Sequence, residues 1–381
     1  MTQDVSRSDV RLDNWRTAPF SRWAFQNVSE IVPSAVIRSN RLFEEATYDL
    51  GPFSDLQVSG LDGLDQPLEA FLEASDTDAF VVMRQGRLIA EWYAGHCDPA
   101  CPHIIFSVSK SLTALLAGIL VGRGKLSLSD LVVQHVPEAE GSAYADATVQ
   151  QLLDMEISLD FEENYLDPHG AFNRYRRATA WAPDNPADPA PDLKTFLCSL
   201  QKGKSGHGVA HAYRSPNTDM TGIVLERASG VRLPTLFSGL LWQPLGASSD
   251  AMITVDRAGT SRAAGGMSVT ARDLARTGEL VRRKGGGIVP AGFIADLWTG
   301  GSRDAWVKGD QTTLFPEGRY RNYWYSSGSG ELAAIGIHGQ WIWIDPATET
   351  VIVKLSSQPL PVDAPLDQAI VSMLRLVSVK A

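Results

Sequence analysis

A chain of 381 residues with 44% hydrophobic and 20% charged side chains is long enough for two domains, or for one large domain carrying an insertion. Its net charge of −10 is the wrong sign for a phosphate-backbone partner, so nucleic acid is not expected. The polar start Met1-Thr2-Gln3-Asp4-Val5 lacks the apolar run of a signal peptide, no later stretch approaches a membrane span, and the three cysteines form no disulfide framework, so a cytoplasmic chain without a membrane partner is expected.

The first sixty residues carry Trp15, Phe20, Trp23 and Phe25, too aromatic for a disordered tail, and are expected to wrap the surface. A helix is predicted over residues 64–74, where Leu68, Phe71 and Leu72 recur at helical spacing. Residues 78–84 and 87–93 are two strand-like runs around Gln85-Gly86 and predict the hairpin that starts an antiparallel sheet. His96-Cys97-Asp98-Pro99-Ala100-Cys101-Pro102-His103 holds zinc-type ligands, but Cys-x3-Cys beside a histidine is not a common structural-zinc spacing. No metal is expected there.

Ser107-Val108-Ser109-Lys110 follows the strand-like Ile104-Ile105-Phe106 and opens an apolar helix. Residues three apart share a helix face, so the Ser107 hydroxyl and the Lys110 amine adjoin. A serine hydroxyl needs a base, and burial on an apolar face lowers a lysine's pKa enough to supply one. The helix N-terminus adds amides that can bind an oxyanion. The four-residue pattern is weak alone, and a simple N-cap serine is the competing reading. A second match, Ser199-Leu200-Gln201-Lys202, sits in a polar stretch where the lysine stays charged, and is read as coincidental.

From residue 124 to about 250 the pattern is helices and long loops without a strand pair. Residues 160–192, with Tyr165, Tyr175 and Trp181, are long for a structureless loop and fit a lid. Strands return at Ile335-Gly336-Ile337-His338-Gly339-Gln340, Trp341-Ile342-Trp343-Ile344 and Val351-Ile352-Val353-Lys354-Leu355, before a helix over residues 365–376. This order implies an α/β domain from residues 1–123 and 253–381, split by a helical domain over residues 124–252.

Ser107-Val108-Ser109-Lys110, Gly124-Lys125-Leu126-Ser127-Leu128-Ser129-Asp130, Thr148-Val149-Gln150-Gln151-Leu152-Leu153 and Gly265-Gly266-Met267-Ser268-Val269-Thr270 together resemble the serine β-lactamase and penicillin-binding-protein-like hydrolases. The resemblance runs from about residue 20 to about residue 360. It implies a β-lactamase/DD-peptidase-like α/β (α+β) fold, an antiparallel sheet flanked by helices with an all-helical insertion domain. Within that superfamily the chain resembles the 6-aminohexanoate-dimer hydrolase group, nylon-oligomer amidases with carboxylesterase activity. The strings that carry this are Trp23-Ala24-Phe25, Asn164-Tyr165-Leu166-Asp167-Pro168, Ser215-Pro216-Asn217-Thr218-Asp219, Ile335-Gly336-Ile337-His338-Gly339-Gln340 and Val353-Lys354-Leu355-Ser356-Ser357.

The resemblance implies an acyl-enzyme on Ser107, with Lys110 as base and the Ile337 amide paired with that of Ser107 in an oxyanion hole. It implies a proton-relaying tyrosine, usually in Tyr-x-Asn. Tyr213-Arg214-Ser215 is preferred over the literal Tyr320-Arg321-Asn322, with Ser215 in place of the asparagine, because Tyr213 precedes an amphipathic helix. Tyr165, Trp181, Arg176, Ser215, Asn217, His338 and Gly339 are the expected substrate contacts. His338-Gly339-Gln340 stands where β-lactamases carry Lys-Thr-Gly, which weakens the case for β-lactams. His338 is either a proton-transfer group or a strand histidine.

The cationic Asn173-Arg174-Tyr175-Arg176-Arg177 is either a solvated basic loop or a selector of anionic or neutral acyl groups. The implied partner is a small-molecule ester or amide, no cofactor is required, and a homodimer is left open. A β-lactamase, a D-Ala-D-Ala peptidase and a non-catalytic binding homologue remain alternatives. A Ser-His-Asp α/β-hydrolase is disfavoured because the chain contains no Gly-x-Ser-x-Gly.

Overall fold

The computed structural model describes residues 5–41, 43 and 45–381, so the first four residues of the polar N-terminal stretch lie outside the described residues. A seven-stranded antiparallel sheet dominates. Its spatial order is Arg87–Tyr93, Thr77–Arg84, Thr350–Ser356, Gln340–Asp345, Leu332–Gly336, Trp324–Ser326 and Arg319–Arg321. The hairpin predicted around Gln85-Gly86 opens it. Both turn residues have positive φ (51° and 77°), the two-residue geometry that matches the twist of paired strands. Residues 341–344 and 350–356 are buried throughout, so both faces of the sheet centre are covered. Helices Ala271–Arg282 and Ala364–Lys380 pack on it.

Helix Val108–Gly122 is buried all round through Leu120, as expected of a core helix rather than an amphipathic surface one. It lies between the sheet and helix Ser215–Ser229, which places its N-terminus where sheet and helices meet. The chain between residues 124 and 250 contributes helices and loops, with only the isolated bridges Leu131–Thr148 and Leu159–Lys202 among its described residues. A four-stranded sheet, Ser34–Ile37, Ala251–Thr254, Met267–Val269 and His103–Ile104, lies beside the start of the core helix. No helix of the described residues is long and apolar enough to cross a membrane.

Several expectations need correction. The helix expected over residues 64–74 starts at Leu68, because Asp65–Pro67 pairs with Gln57–Ser59 as a small ribbon. The strand before Ser107 is only His103–Ile104, since Phe106 turns to φ 42°. Residues 335–340 are not one strand. His338 (φ 61°) and Gly339 (φ 82°) are left-handed, which no extended strand tolerates, and residues 337–339 form a hairpin turn. The C-terminal helix is longer than expected, Ala364–Lys380.

The aromatic N-terminal segment does more than wrap the surface. Trp15 and Phe25 are fully buried in a cluster with Ile104, Phe106 and Trp181. Residues 160–192 are not a single loop, because helix Ala171–Ala178 forms inside them.

Candidate active site

Ser107 stands at the N-cap of the core helix, three residues past the short strand, and is held by the strained backbone of Phe106 (φ 42°), an uncommon conformation for an aromatic residue. Lys110 stands one turn on. Its Nζ donates to Ser107 Oγ at 2.8 Å and to the Ala264 carbonyl at 2.7 Å. The side chain is buried, and this desolvation pushes its pKa down to about 7; Arg262 adds to the fall, while Glu163 and Asp219 oppose it. A neutral amine this close to a hydroxyl can accept its proton.

Tyr213 closes a third side. Its ring lies 5.0 Å from Lys110 Nζ, and its hydroxyl interacts with the Ser107 side chain. Burial raises its phenol well above the ordinary value of 10, so at neutral pH it is a proton donor. The literal motif is elsewhere: Tyr320 packs 4.7 Å from both His211 and Tyr325, and Asn322 accepts from Gln150. The second Ser-x-x-Lys is also dispersed, with Ser199 donating to the Phe196 carbonyl and Lys202 paired to Asp146 at 2.5 Å.

Gly336 sets the remaining edge. A Cβ there would come within 2.7 Å of the Ile105 carbonyl and 3.1 Å of the Ser107 nitrogen, so only glycine lets this strand end press against the serine turn. Ile337, the next residue, therefore comes up beside Ser107, and both line the same two cavities. The larger, about 270 Å³, also takes in Tyr213, Gly339, Asp310 and Asp367. The smaller, about 20 Å³, takes in Trp181, Ser215, Arg16, Arg176 and Arg262. Tyr165 borders both.

Two expected contacts are not brought to the site. Asn217 is fully buried, with Oδ1 accepting from the Tyr144 hydroxyl and Nδ2 directed to Met155 Sδ, because its place on helix Ser215–Ser229 faces the core. His338 lines neither cavity. Its ring packs 5.3 Å from Phe25 and from Phe106, its Nδ1 meets the Gln358 carbonyl at 2.7 Å, and burial lowers its pKa to about 4. It is a neutral, structural ring that fixes the turn carrying Ile337.

Two supporting groups escaped the sequence reading. Glu163 accepts from the Ser215 hydroxyl (2.7 Å), the Ser215 amide (2.5 Å) and the Tyr165 hydroxyl (2.8 Å), tying residues 163–165 to the helix start. Asp219 pairs with Arg262, which also donates to Tyr175, and accepts the Ala264 amide at 2.8 Å. Asp219 lies in Ser215-Pro216-Asn217-Thr218-Asp219, where nothing in the spacing gives it a role, and Glu163 lies in a Pro- and Asp-rich stretch with no periodicity to mark it. At the cysteine loop, His96 and His103 both turn to Asp78, at 2.7 and 2.9 Å, and Cys101 donates to Asp98. Among the described residues no group of three or more His, Cys, Asp or Glu is arranged to hold a metal ion.

Residues 64–372 match the family model described as Beta-lactamase. Over 366 residues, 94% of this chain and 90% of the relative, the chain is 40% identical to a 6-aminohexanoate-dimer hydrolase from Paenarthrobacter ureafaciens. A solved Bacillus anthracis protein, provisionally described as a 6-aminohexanoate-dimer hydrolase, superposes with a TM-score of 0.89 at 23% identity, covering 99% of this chain and 98% of that one. EstCE1, a hydrolase with promiscuous acyltransferase activity, gives a TM-score of 0.61 at 18% identity, covering 80% and 96%. These structural likenesses concern the fold.

Proposed function

Because the chain belongs to the Beta-lactamase family, we propose that it is a serine hydrolase that cleaves small linear amides or carboxylic esters through an acyl-enzyme on Ser107. The observation that carries this reading is the 2.8 Å contact between Ser107 Oγ and a buried Lys110 amine that has no ion-pairing carboxylate among the described residues. The 40% identical relative, named for 6-aminohexanoate dimer, supports a linear amide as the substrate class.

In this mechanism neutral Lys110 takes the Ser107 proton as Oγ adds to the carbonyl carbon. The amides of Ser107 and Ile337 receive the developing oxyanion, a pair of donors each worth about 3 kcal/mol in such sites. Tyr213 gives its proton to the departing nitrogen or oxygen, and the C–N or C–O bond breaks. Proton transfer from Lys110 restores the phenol. Water then adds to the acyl carbon with neutral Lys110 taking its proton, and the acid leaves as Ser107 recovers its hydrogen from Lys110. The role given to Tyr213 is supported by its ring lying 5.0 Å from Lys110 Nζ, beside the amine that reprotonates it, and by burial that keeps its phenol protonated.

Labelling with a fluorophosphonate tests the reading. Wild-type protein should be labelled at Ser107, Ser107→Ala should not be, and Lys110→Ala should react far more slowly. Labelling of Ser107→Ala at wild-type speed would overturn it.

A further inference from the structure

The smaller cavity beside Ser107 is bordered by three arginines and no aspartate or glutamate. Arg262 is matched by Asp219 and Tyr175. The other two are not matched. Arg16 makes no hydrogen bond or ion pair among the described residues; its guanidinium lies 5.3 Å from the Trp15 ring and its Nε is buried without a partner. Arg176 donates from Nη2 to the Tyr165 carbonyl, lies over Phe172 at 4.6 Å, and also buries an unpartnered Nε. The nearby carboxylate, Glu163, is engaged by Ser215 and Tyr165.

Ring faces hold a guanidinium weakly, at about 0.5–2 kcal/mol. They do not neutralise it, and two like charges in one partly desolvated corner repel each other. Such a corner is stabilised by an anion, and the planar donors of arginine suit a carboxylate.

The position of this corner relative to the reacting bond says which part of the substrate bears the charge. Tyr213, the proton donor to the leaving group in the proposed mechanism, borders the larger cavity and not the smaller. The leaving amine or alcohol therefore occupies the larger cavity, where Asp367 disfavours an anion and Asp310 is already paired with Arg214. The acyl group extends the other way. We infer that Arg16 and Arg176 form an anion subsite for the acyl half of the substrate, so that the enzyme prefers monoamides or monoesters of short dicarboxylic acids. This inference rests on the hydrolase reading and adds a charge preference to it.

The test uses three p-nitroanilides of similar shape: glutaryl (anionic), pentanoyl (neutral) and 5-aminopentanoyl (cationic). Binding is measured calorimetrically on Ser107→Ala, where no turnover intervenes. The glutaryl compound should bind at least tenfold tighter than the pentanoyl one, and the aminopentanoyl compound should bind weakest. Adding Arg176→Gln or Arg16→Gln, with folding checked by circular dichroism, should erase most of that advantage, either variant sufficing if the other fails to fold.

Equal binding of anionic and neutral compounds, or an advantage unchanged in the folded arginine variants, would overturn the subsite. Turnover of the same compounds by wild-type protein separates the two claims. Binding with the expected preference but without turnover or fluorophosphonate labelling contradicts the hydrolase reading alone. Turnover without anion preference contradicts the subsite alone.

Discussion

Asp219 and Lys110 hold opposite ends of one residue: the carboxylate accepts the Ala264 N–H at 2.8 Å, and the amine donates to the Ala264 carbonyl at 2.7 Å. The two side chains come from different helices, and Arg262, ion-paired to Asp219, lies two residues before Ala264. The orientation of Lys110 toward Ser107 is thus set by a carboxylate that never touches the serine.

Asp219→Asn should therefore weaken both the fold and the reaction. Arg262 would lose its buried counter-charge, a change that typically costs about 3–5 kcal/mol. Urea unfolding measures this, and kcat/KM of the folded fraction should also fall because the Ala264 carbonyl is less firmly placed. A loss of stability below about 1 kcal/mol, the scale of an exposed pair, would contradict the account.

The pH profile follows from Lys110. Burial places its pKa at about 7, so the base is protonated and inactive below that pH, and kcat/KM should rise through about pH 7 to a plateau. No alkaline limb from Tyr213 is expected below pH 10. Stability has the matching sign. Between about 7 and the ordinary lysine value of 10.5 the unfolded chain keeps a proton that folded Lys110 has released, so this lysine's unfavourable contribution shrinks as pH rises across that window. A rate profile flat from pH 5 to 9 would exclude Lys110 as the base.

Gly336→Ala probes the oxyanion edge. A Cβ cannot fit 2.7 Å from the Ile105 carbonyl, so the strand end must move away from the Ser107 turn and carry the Ile337 amide with it. The expected result is a loss in kcat of about 100-fold or more with a smaller change in KM, the signature of a donor that acts in the transition state. Unchanged kcat would remove Ile337 from the oxyanion hole.

His338→Asn separates shape from proton transfer. Asparagine tolerates the left-handed backbone at 338, and the native ring is already neutral at pH 7. The acid limb near pH 7 should stay where it is, and the loss in kcat/KM should remain well under the ~100-fold that removal of a general acid or base produces. Movement of that limb would reinstate His338 in the chemistry.

What could be read from the sequence was local. Ser107 and Lys110 are three residues apart on an apolar helix, and Gln85-Gly86 sits between two strand-like runs, so local pattern alone carries both. Tyr213 and Ile337 lie far from Ser107 along the chain and came from family resemblance. Turn chemistry misled the reading at residues 335–340, where an apolar run hides two left-handed residues. Asn217 lies two residues beyond Ser215, which does line the smaller cavity, but its own helix position faces Tyr144. Glu163, Asp219 and Arg16 act through contacts between distant segments, which no periodicity encodes.

The most direct measurement is intact-protein mass spectrometry after brief mixing with p-nitrophenyl butyrate, followed by peptide mapping, on wild type, Ser107→Ala and Ser199→Ala. A butyryl adduct on Ser107, or nitrophenol release lost only in Ser107→Ala, is the expected result, with Ser199→Ala behaving like wild type. Equal loss in both variants, or an adduct mapped to another residue, would contradict Ser107 as the nucleophile.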